Sequence, residues 1–242
     1  LGGTQAEAIE ASKNAPASMT TKVLKLPRMP VLPSGATDVP KVIHYFWAGN
    51  EMPENLLNNI MENSRKSPGY KSIVHVDAND ADTFQKIHSA LDHKVGGLEV
   101  HDLKADERYQ ALNDGKYGDM YQFFRSGRGQ NLAAASDVMR AVLMKKYGGI
   151  CLDTDDALTF NVGEVTLKAT PNDILMNVPV TYEPTDFNGF NTSNFASHPD
   201  NPVFDEILET AYERYKANEE WLNANRPFLK ENSTAAERQI YN

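Results

Sequence analysis

The stretch Ala133–Ala157, reading AAASDVMRAVLMKKYGGICLDTDDA, constrains this chain more than any other. Leu132, Ala135, Val138, Met139, Val142, Leu143 and Tyr147 recur at the three-and-four spacing of a helix packed on a core. Ser136, Asp137 and Arg140 fall at the start of that helix, on or beside its exposed face. Gly148-Gly149 follow the last apolar position, where a left-handed cap suits glycine. Ile150-Cys151-Leu152 then read as a short buried strand, and Asp153, Asp155 and Asp156 stand at its carboxyl end. Open α/β sheets bind ligands at that end. Carboxylates held so close repel one another unless a cation joins them, and a divalent cation does so most economically.

The rest of the chain supplies a sheet for this unit. Lys41–Trp47 is rich in β-branched and aromatic residues and stops at Gly49-Asn50, which predicts a strand and a turn. Pro53 opens a helix carrying Leu56, Leu57, Ile60 and Met61. A second strand is expected at Ile73–Asp77, a second helix from Asp80 to Leu91, and a short strand at Leu98–Val100. Tyr117–Gln130 reads as a short helix plus loop. Beyond the central unit come a strand at Ile174–Val178, an Asn-rich loop from Asn188 to Asn194, and a helix. That helix opens at Asn201-Pro202 and carries Val203, Ile207, Leu208, Ala211, Tyr212 and Tyr215 on one stripe. Alternation of strand and helix implies an α/β domain with a mostly parallel central sheet flanked by helices. Residues 1–38, with an Ala-rich segment followed by Pro27, Pro30 and Pro33, read as a leader or linker, and 39–242 as the domain.

Composition excludes several classes. A net charge of −9 argues against nucleic-acid binding, which needs a cationic footprint. No apolar run approaches the ~20 residues of a membrane span, and no membrane contact is evident. The lone Cys151 leaves no internal disulfide to depend on. The start at Leu1, without methionine, suggests a piece of a larger protein. There is no Gly-x-Ser-x-Gly and no phosphate loop ending in Lys-Ser/Thr, so protease and kinase readings find no support.

Each chemical candidate has a plainer reading beside it. Most Asp clusters are solvated loops, but this one follows a buried strand. Oxygen ligands suit Mg²⁺, Mn²⁺ or Ca²⁺, and no Cys/His spacing suggests zinc. Asp137 and Arg140 share a helix face; alone they would be a local ion pair of about 0.3–0.5 kcal/mol. At a helix N-terminus, Arg140 also adds a fork of donors suited to a diphosphate, and Asp137 can accept from sugar hydroxyls. Trp47 would by default pack in a core, yet at a strand end its ring can stack on a base. His44 and His75 lie within strands and read as packed. Asn191, Ser193 and Asn194 are turn formers by default and otherwise complete a sugar or metal site.

Taken together, Lys41–Gly49 (KVIHYFWAG), Ala135–Arg140 (ASDVMR) and Tyr147–Asp155 (YGGICLDTD) resemble the sugar-nucleotide-dependent toxin glycosyltransferases. These have a GT-A fold and an Asp-x-Asp motif, and the large clostridial glucosylating toxins are their best-known members. The resemblance covers roughly residues 39–215. It implies that Trp47 stacks on uracil and that Asp137 and Arg140 hold the donor sugar and diphosphate. Asp153 would contact ribose and sugar, and Asp155 would hold the cation. Phe46, Ser136 and Asn191 complete the implied donor set, and Asp156 joins Asp155 as the implied metal pair. Catalysis would rest on Asp137, Arg140, Asp153 and Asp155, with Mn²⁺ as cation and Mg²⁺ as the alternative.

The Asp-Thr-Asp-Asp version of the motif looks most like the Photorhabdus branch. That likeness implies retaining transfer of N-acetylglucosamine from UDP-N-acetylglucosamine to a tyrosine hydroxyl of host Rho-family GTPases. The setting it implies is a secreted bacterial toxin acting in the host-cell cytosol. Transfer to threonine of small GTPases, or to glycans, is the alternative enzyme reading. An adaptor domain with a vestigial sugar-nucleotide pocket is the non-enzymatic one. Family members carry further metal and donor contacts after a Gly-Pro segment near the domain's end, and none precedes Asn242, so the domain is expected to be truncated there.

Overall fold

The computed structural model describes residues 32–126, 129–177, 180–182, 187–224 and 234. Most of the expected leader lies outside them. A compact unit begins at Ser34. In chain order it contains β1 (Thr37–Asp38), β2 (Val42–Gly49), α1 (Glu54–Arg65), β3 (Lys71–Ala78), α2 (Ala81–Leu91) and β4 (Leu98–Asp102). Then follow α3 (Glu107–Asp114), α4 (Gly118–Arg125), α5 (Leu132–Tyr147), β5 (Gly149–Leu152), β6 (Lys168–Ala169) and β7 (Ile174–Met176). The hairpin strands β8 (Val180–Tyr182) and β9 (Phe187–Gly189) precede β10 (Asn194–Ser197), α6 (Val203–Ala217) and α7 (Glu219–Asn223). Among the described residues no helix is long and apolar enough to cross a membrane.

Six strands form the central sheet in the order β4-β3-β2-β5-β10-β7. β4, β3, β2 and β5 run parallel, and β10 runs antiparallel to both β5 and β7. The expected mostly parallel sheet is therefore present, with one reversed strand, β10, inserted between β5 and the edge strand β7. The reading of Asn188–Asn194 as loop stopped just where β10 begins. Asn-Phe-Ala-Ser is too short and too polar to announce a strand, and neighbours on both sides make it one. Helix α3 was likewise not expected.

Side-chain alternation along β2 sends successive residues to opposite faces. Ile43 and Tyr45 join one core with Val74, Val76, Ile60 and Leu91, beneath α1 and α2. Phe46 and Ala48 join the other, with Met120, Val138, Met139, Leu143 and Phe204 from α4, α5 and α6. Helix α5 is buried around most of its circumference, Arg140 and Ala141 included, so a single apolar stripe understates its packing. Leu132, expected on the core face, is instead exposed.

Two glycines set the hand-over from α5 to β5. Gly148 has φ 59° and ψ −165°, an extended glycine-only conformation rather than the expected left-handed helical cap. A Cβ there would lie 2.5 Å from the Pro199 nitrogen, and one on Gly149 (φ 98°) would lie 2.4 Å from the Val42 carbonyl oxygen. Glycine lets β5 slide close beside β2. The two strands pair through Ile43–Ile150 and His44–Cys151; beyond that β2 continues to Gly49 while β5 stops at Leu152. The divergence of these strand ends opens a cleft.

Candidate active site

At that divergence lies a cleft of about 310 Å³ lined by Phe46, Trp47, Ser136, Asp153, Thr154 and Asp155, among others. Trp47 both lines the cleft and packs its other side on the α1–α2 core. Its indole N–H donates to the Asn50 carbonyl at 2.8 Å. The Asn50 side-chain oxygen accepts from the Asn79 amide (2.7 Å), whose own oxygen accepts from Arg125 (2.9 Å). Arg125 is fixed in turn by the Asp77 carboxylate (2.9 Å) and the Asp77 carbonyl (2.7 Å), and Tyr121 donates to the same carboxylate at 2.6 Å. Arg125 and Asp77 are both buried. This chain of bonds braces the carboxyl ends of β2 and β3 against α4. Sequence reasoning found none of Asn50, Asn79 or Arg125, because each reads singly as a turn or surface residue.

Arg140 is buried, not on the exposed face that its spacing suggested. Its guanidinium pairs with the Asp153 carboxylate, donates to the Thr192 carbonyl at 2.9 Å, and lies 3.9 Å from Asp137. One side chain thus links α5, the end of β5 and the loop entering β10. Helix α5 starts earlier than its motif implied. Asn131 caps it by accepting from Ala134 N–H at 3.2 Å, which places Ser136 and Asp137 in the second turn. The helix's free N–H groups therefore do not surround Asp137, and the expected helix-terminus contribution at that residue is not present. Asp137 stands in an open but crowded position. Desolvation raises its carboxyl above the usual range, and Arg140 offsets part of the rise. Asp137 and Arg140 also border a second cavity of about 530 Å³, against Thr192, Phe195, Ile207 and Arg214.

The aspartate turn is tightly organised. Asp153 N–H is shared between the Ser193 carbonyl (2.9 Å) and the Asp156 carboxylate (3.0 Å). Asp156 N–H returns to the Asp153 carbonyl at 3.1 Å, closing the turn. Desolvation raises the Asp156 carboxyl above its ordinary value, and a hydrogen bond from Asn194 opposes the rise. Asp155 is exposed and makes no hydrogen bond or ion pair with another described residue. Asn191 lies outside the cleft lining and accepts from Ser193 N–H at 2.9 Å, the turn-forming role that is its default. His44 and His75 are packed, as expected, and bond to each other at 2.9 Å.

Among the described residues no three His, Cys, Asp or Glu side chains converge as a ready-made metal cage. The donor chemistry nevertheless suits a hard cation. Mg²⁺ and Mn²⁺ are commonly held by one or two carboxylates, with substrate phosphates and water filling the other positions. Asp155 is the carboxylate at this cleft that is free to serve, since Asp153 is paired with Arg140 and Asp156 closes the turn.

Strand order, the inserted antiparallel strand and the Asp-x-Asp turn at the sheet's centre together make this a GT-A-type glycosyltransferase fold. The chain is similar to the glycosyltransferase domains of bacterial toxins, as its motifs implied. Residues 78–177 match the family of TcdA/TcdB catalytic glycosyltransferase domains. "Subversion of eukaryotic traffic protein A" of Legionella pneumophila is 29% identical over 117 residues, 48% of this chain and 17% of that protein. "Toxin Afp18" of Yersinia ruckeri is 25% identical over 182 residues, 74% of this chain and 8% of that toxin. The chain thus spans less than a fifth of either relative. The solved PaToxG glycosyltransferase superposes with a TM-score of 0.65 at 19% identity, over 77% of this chain and 65% of that one.

Proposed function

We propose that this domain transfers a sugar from a uridine diphosphate donor to a hydroxyl of a host protein, with retention of anomeric configuration and with a divalent cation. The observation that carries the reading is the shared cleft, where an aromatic ring, a serine and two aspartates of the motif face one another at the sheet's carboxyl edge. Trp47 offers a braced flat surface to the base. Arg140 holds Asp153 in place and supplies fixed positive charge beside the diphosphate, the preorganised electrostatics that act where charge develops. Asp155, with its carboxylate free, would hold the cation together with the diphosphate. A bound cation there offsets charge on the leaving group as a Lewis acid.

Retention through a covalent intermediate would need a free carboxylate nucleophile. Asp153 is engaged with Arg140, Asp156 closes its turn, and in this reading Asp155 and Asp137 are already committed to the cation and the donor sugar. Attack on the face from which the diphosphate departs, with the leaving phosphate accepting the hydroxyl proton, suits these commitments better. The finer assignment follows the resemblance: N-acetylglucosamine as sugar, a tyrosine of Rho-family GTPases as acceptor, Mn²⁺ as cation, and delivery into the host cytosol as part of a larger toxin. Incubation with Mn²⁺, a panel of uridine diphosphate sugars and a eukaryotic lysate tests it, with modified peptides read by mass spectrometry. We expect N-acetylglucosamine on tyrosine. Modification of threonine instead moves the assignment to the clostridial branch. Neither transfer nor donor hydrolysis with any sugar overturns the enzymatic reading in favour of a vestigial pocket.

A further inference from the structure

We propose that Asn59 is a positioning residue for Asp155, acting through an amide clamp that it forms with Asn63 on the backbone of the aspartate turn; the proposal rests on the functional reading above. Asn59 and Asn63 lie four residues apart on one face of α1, an element that carries no part of the glycosyltransferase motif. Asn59 donates to the carbonyls of Thr154 and Asp156, both at 2.8 Å. Asn63 donates to the same Asp156 carbonyl at 2.7 Å, and its side-chain oxygen accepts from Leu158 N–H at 2.9 Å. The Asn63 side chain is buried, and Tyr45 from β2 stands 3.2 Å from its amide nitrogen. Asp155 thus sits between two carbonyls tied to a rigid helix, while its own side chain has no hydrogen-bond or ion-pair partner among the described residues.

Asp156 belongs to the same device. Its carboxylate takes the Asp153 N–H, its own N–H returns to the Asp153 carbonyl, and its carbonyl takes both asparagines, so all three of its polar groups are engaged in holding the turn. In this arrangement Asp156 shapes the turn and does not hold the cation. A ligand carboxylate must be kept within about 0.5 Å of its productive position, and the bonds that orient it commonly carry 10–100-fold in metal affinity. Asn59 is the accessible handle on that effect. It is only half-buried, and alanine in its place favours the helix.

The test measures the Mn²⁺ concentration that half-saturates uridine diphosphate binding, by titration calorimetry and by electron paramagnetic resonance of free Mn²⁺. Asn59→Ala is expected to raise it about 10-fold, with the melting temperature held within about 2 °C. Asp156→Asn, which keeps an oxygen to accept from Asp153 N–H, is expected to bind Mn²⁺ nearly as the native chain does. Asp155→Asn should lose the Mn²⁺ effect. An Asn59→Ala protein with native Mn²⁺ dependence overturns the clamp alone. Loss of Mn²⁺ dependence in Asp156→Asn, equal to that in Asp155→Asn, makes Asp156 a ligand and overturns the turn-shaping role. A native chain that binds no uridine diphosphate with Mn²⁺ overturns the functional reading, and the proposal falls with it.

Discussion

Arg140 and Asp153 are paired across the junction between helix α5 and strand β5, with the arginine buried and the aspartate reaching the cleft. Two turns of helix, a glycine turn and a short strand separate the two residues, and the fold brings a cation from the first half of the motif onto an anion from the second. Because Arg140 also holds the Thr192 carbonyl, it stabilises the loop that leads into β10. A lysine has one point charge and cannot reproduce a fork that serves a carboxylate and a carbonyl together. Arg140→Lys is expected to lower donor hydrolysis by about 10²–10³-fold, the range for removing one preorganised donor. Comparing kcat with a thermal melt checks it: a folded protein with native kcat would show that the pair serves structure alone.

Asp155 has the opposite character, with its carboxylate exposed and without a hydrogen-bond or ion-pair partner among the described residues. Asp155→Asn is nearly isosteric and breaks no bond within the described residues. Its melting temperature should therefore stay within about 2 °C of native. Transfer and donor hydrolysis should fall below detection, and EDTA should do the same to the native chain. Activity undiminished by either treatment would remove the cation from the mechanism.

Trp47 carries two loads, a ring on the cleft and a face on the α1–α2 core. Stacking of a base on an aromatic ring is worth about 1–3 kcal/mol, so Trp47→Ala is expected to weaken uridine diphosphate binding about 10- to 100-fold. Trp47→Phe keeps a ring but loses the bond to the Asn50 carbonyl, and it should recover most of that loss. Calorimetric titration of both variants decides the matter. Equal, native-like affinity in both would return Trp47 to the core alone.

The buried histidines set an acid limit on stability. His44 lies 2.9 Å from the Gly148 carbonyl through Nε2, and that carbonyl only accepts, so Nε2 carries the proton. His44 Nδ1 then accepts from His75 Nε2 at 2.9 Å, and both rings lie against Tyr147. Burial pushes His44 down to about 4, with the Gly148 bond opposing and His101 adding to the fall. His75 is held well below its usual value by burial, then by His44, His101 and Lys146. In the unfolded chain both titrate near 6.5. Folding stability from these groups is therefore complete above pH 6.5. It declines as pH falls, because the unfolded state takes up protons first. For His44 the loss approaches roughly 3 kcal/mol near pH 4. Urea melts at pH 7.5 and 5.0 should differ by several tenths of that amount or more. A His44→Gln, His75→Gln double variant should flatten the slope.

Periodicity placed β2, α1, β3, α2, α5 and α6 near their observed positions, since long amphipathic or β-branched runs signal themselves. Asp153, Asp155, Trp47 and Ser136 were expected at one site, and one cleft holds them. Strand β10 was not legible, because four residues become a strand only when β5 and β7 offer edges to pair with. Nor were Asn59 and Asn63: a four-residue spacing of asparagines on a helix looks like a solvated face until its partner is known.

What the linear chain determined by itself is chemical inventory and local direction: a helix, a glycine hand-over, a buried strand, and acids at the strand's end. Those follow from side-chain size, branching and the φ values that glycine alone tolerates. The tertiary structure decided how those acids divide their work. Asp153 is tied to a buried arginine, Asp156 is folded back into the turn, and Asp155 has no hydrogen-bond or ion-pair partner among the described residues. Sequence shows three equivalent carboxylates. Hydrogen-bond partners tens of residues away in the chain make them unequal, and only the packed fold brings those partners within reach.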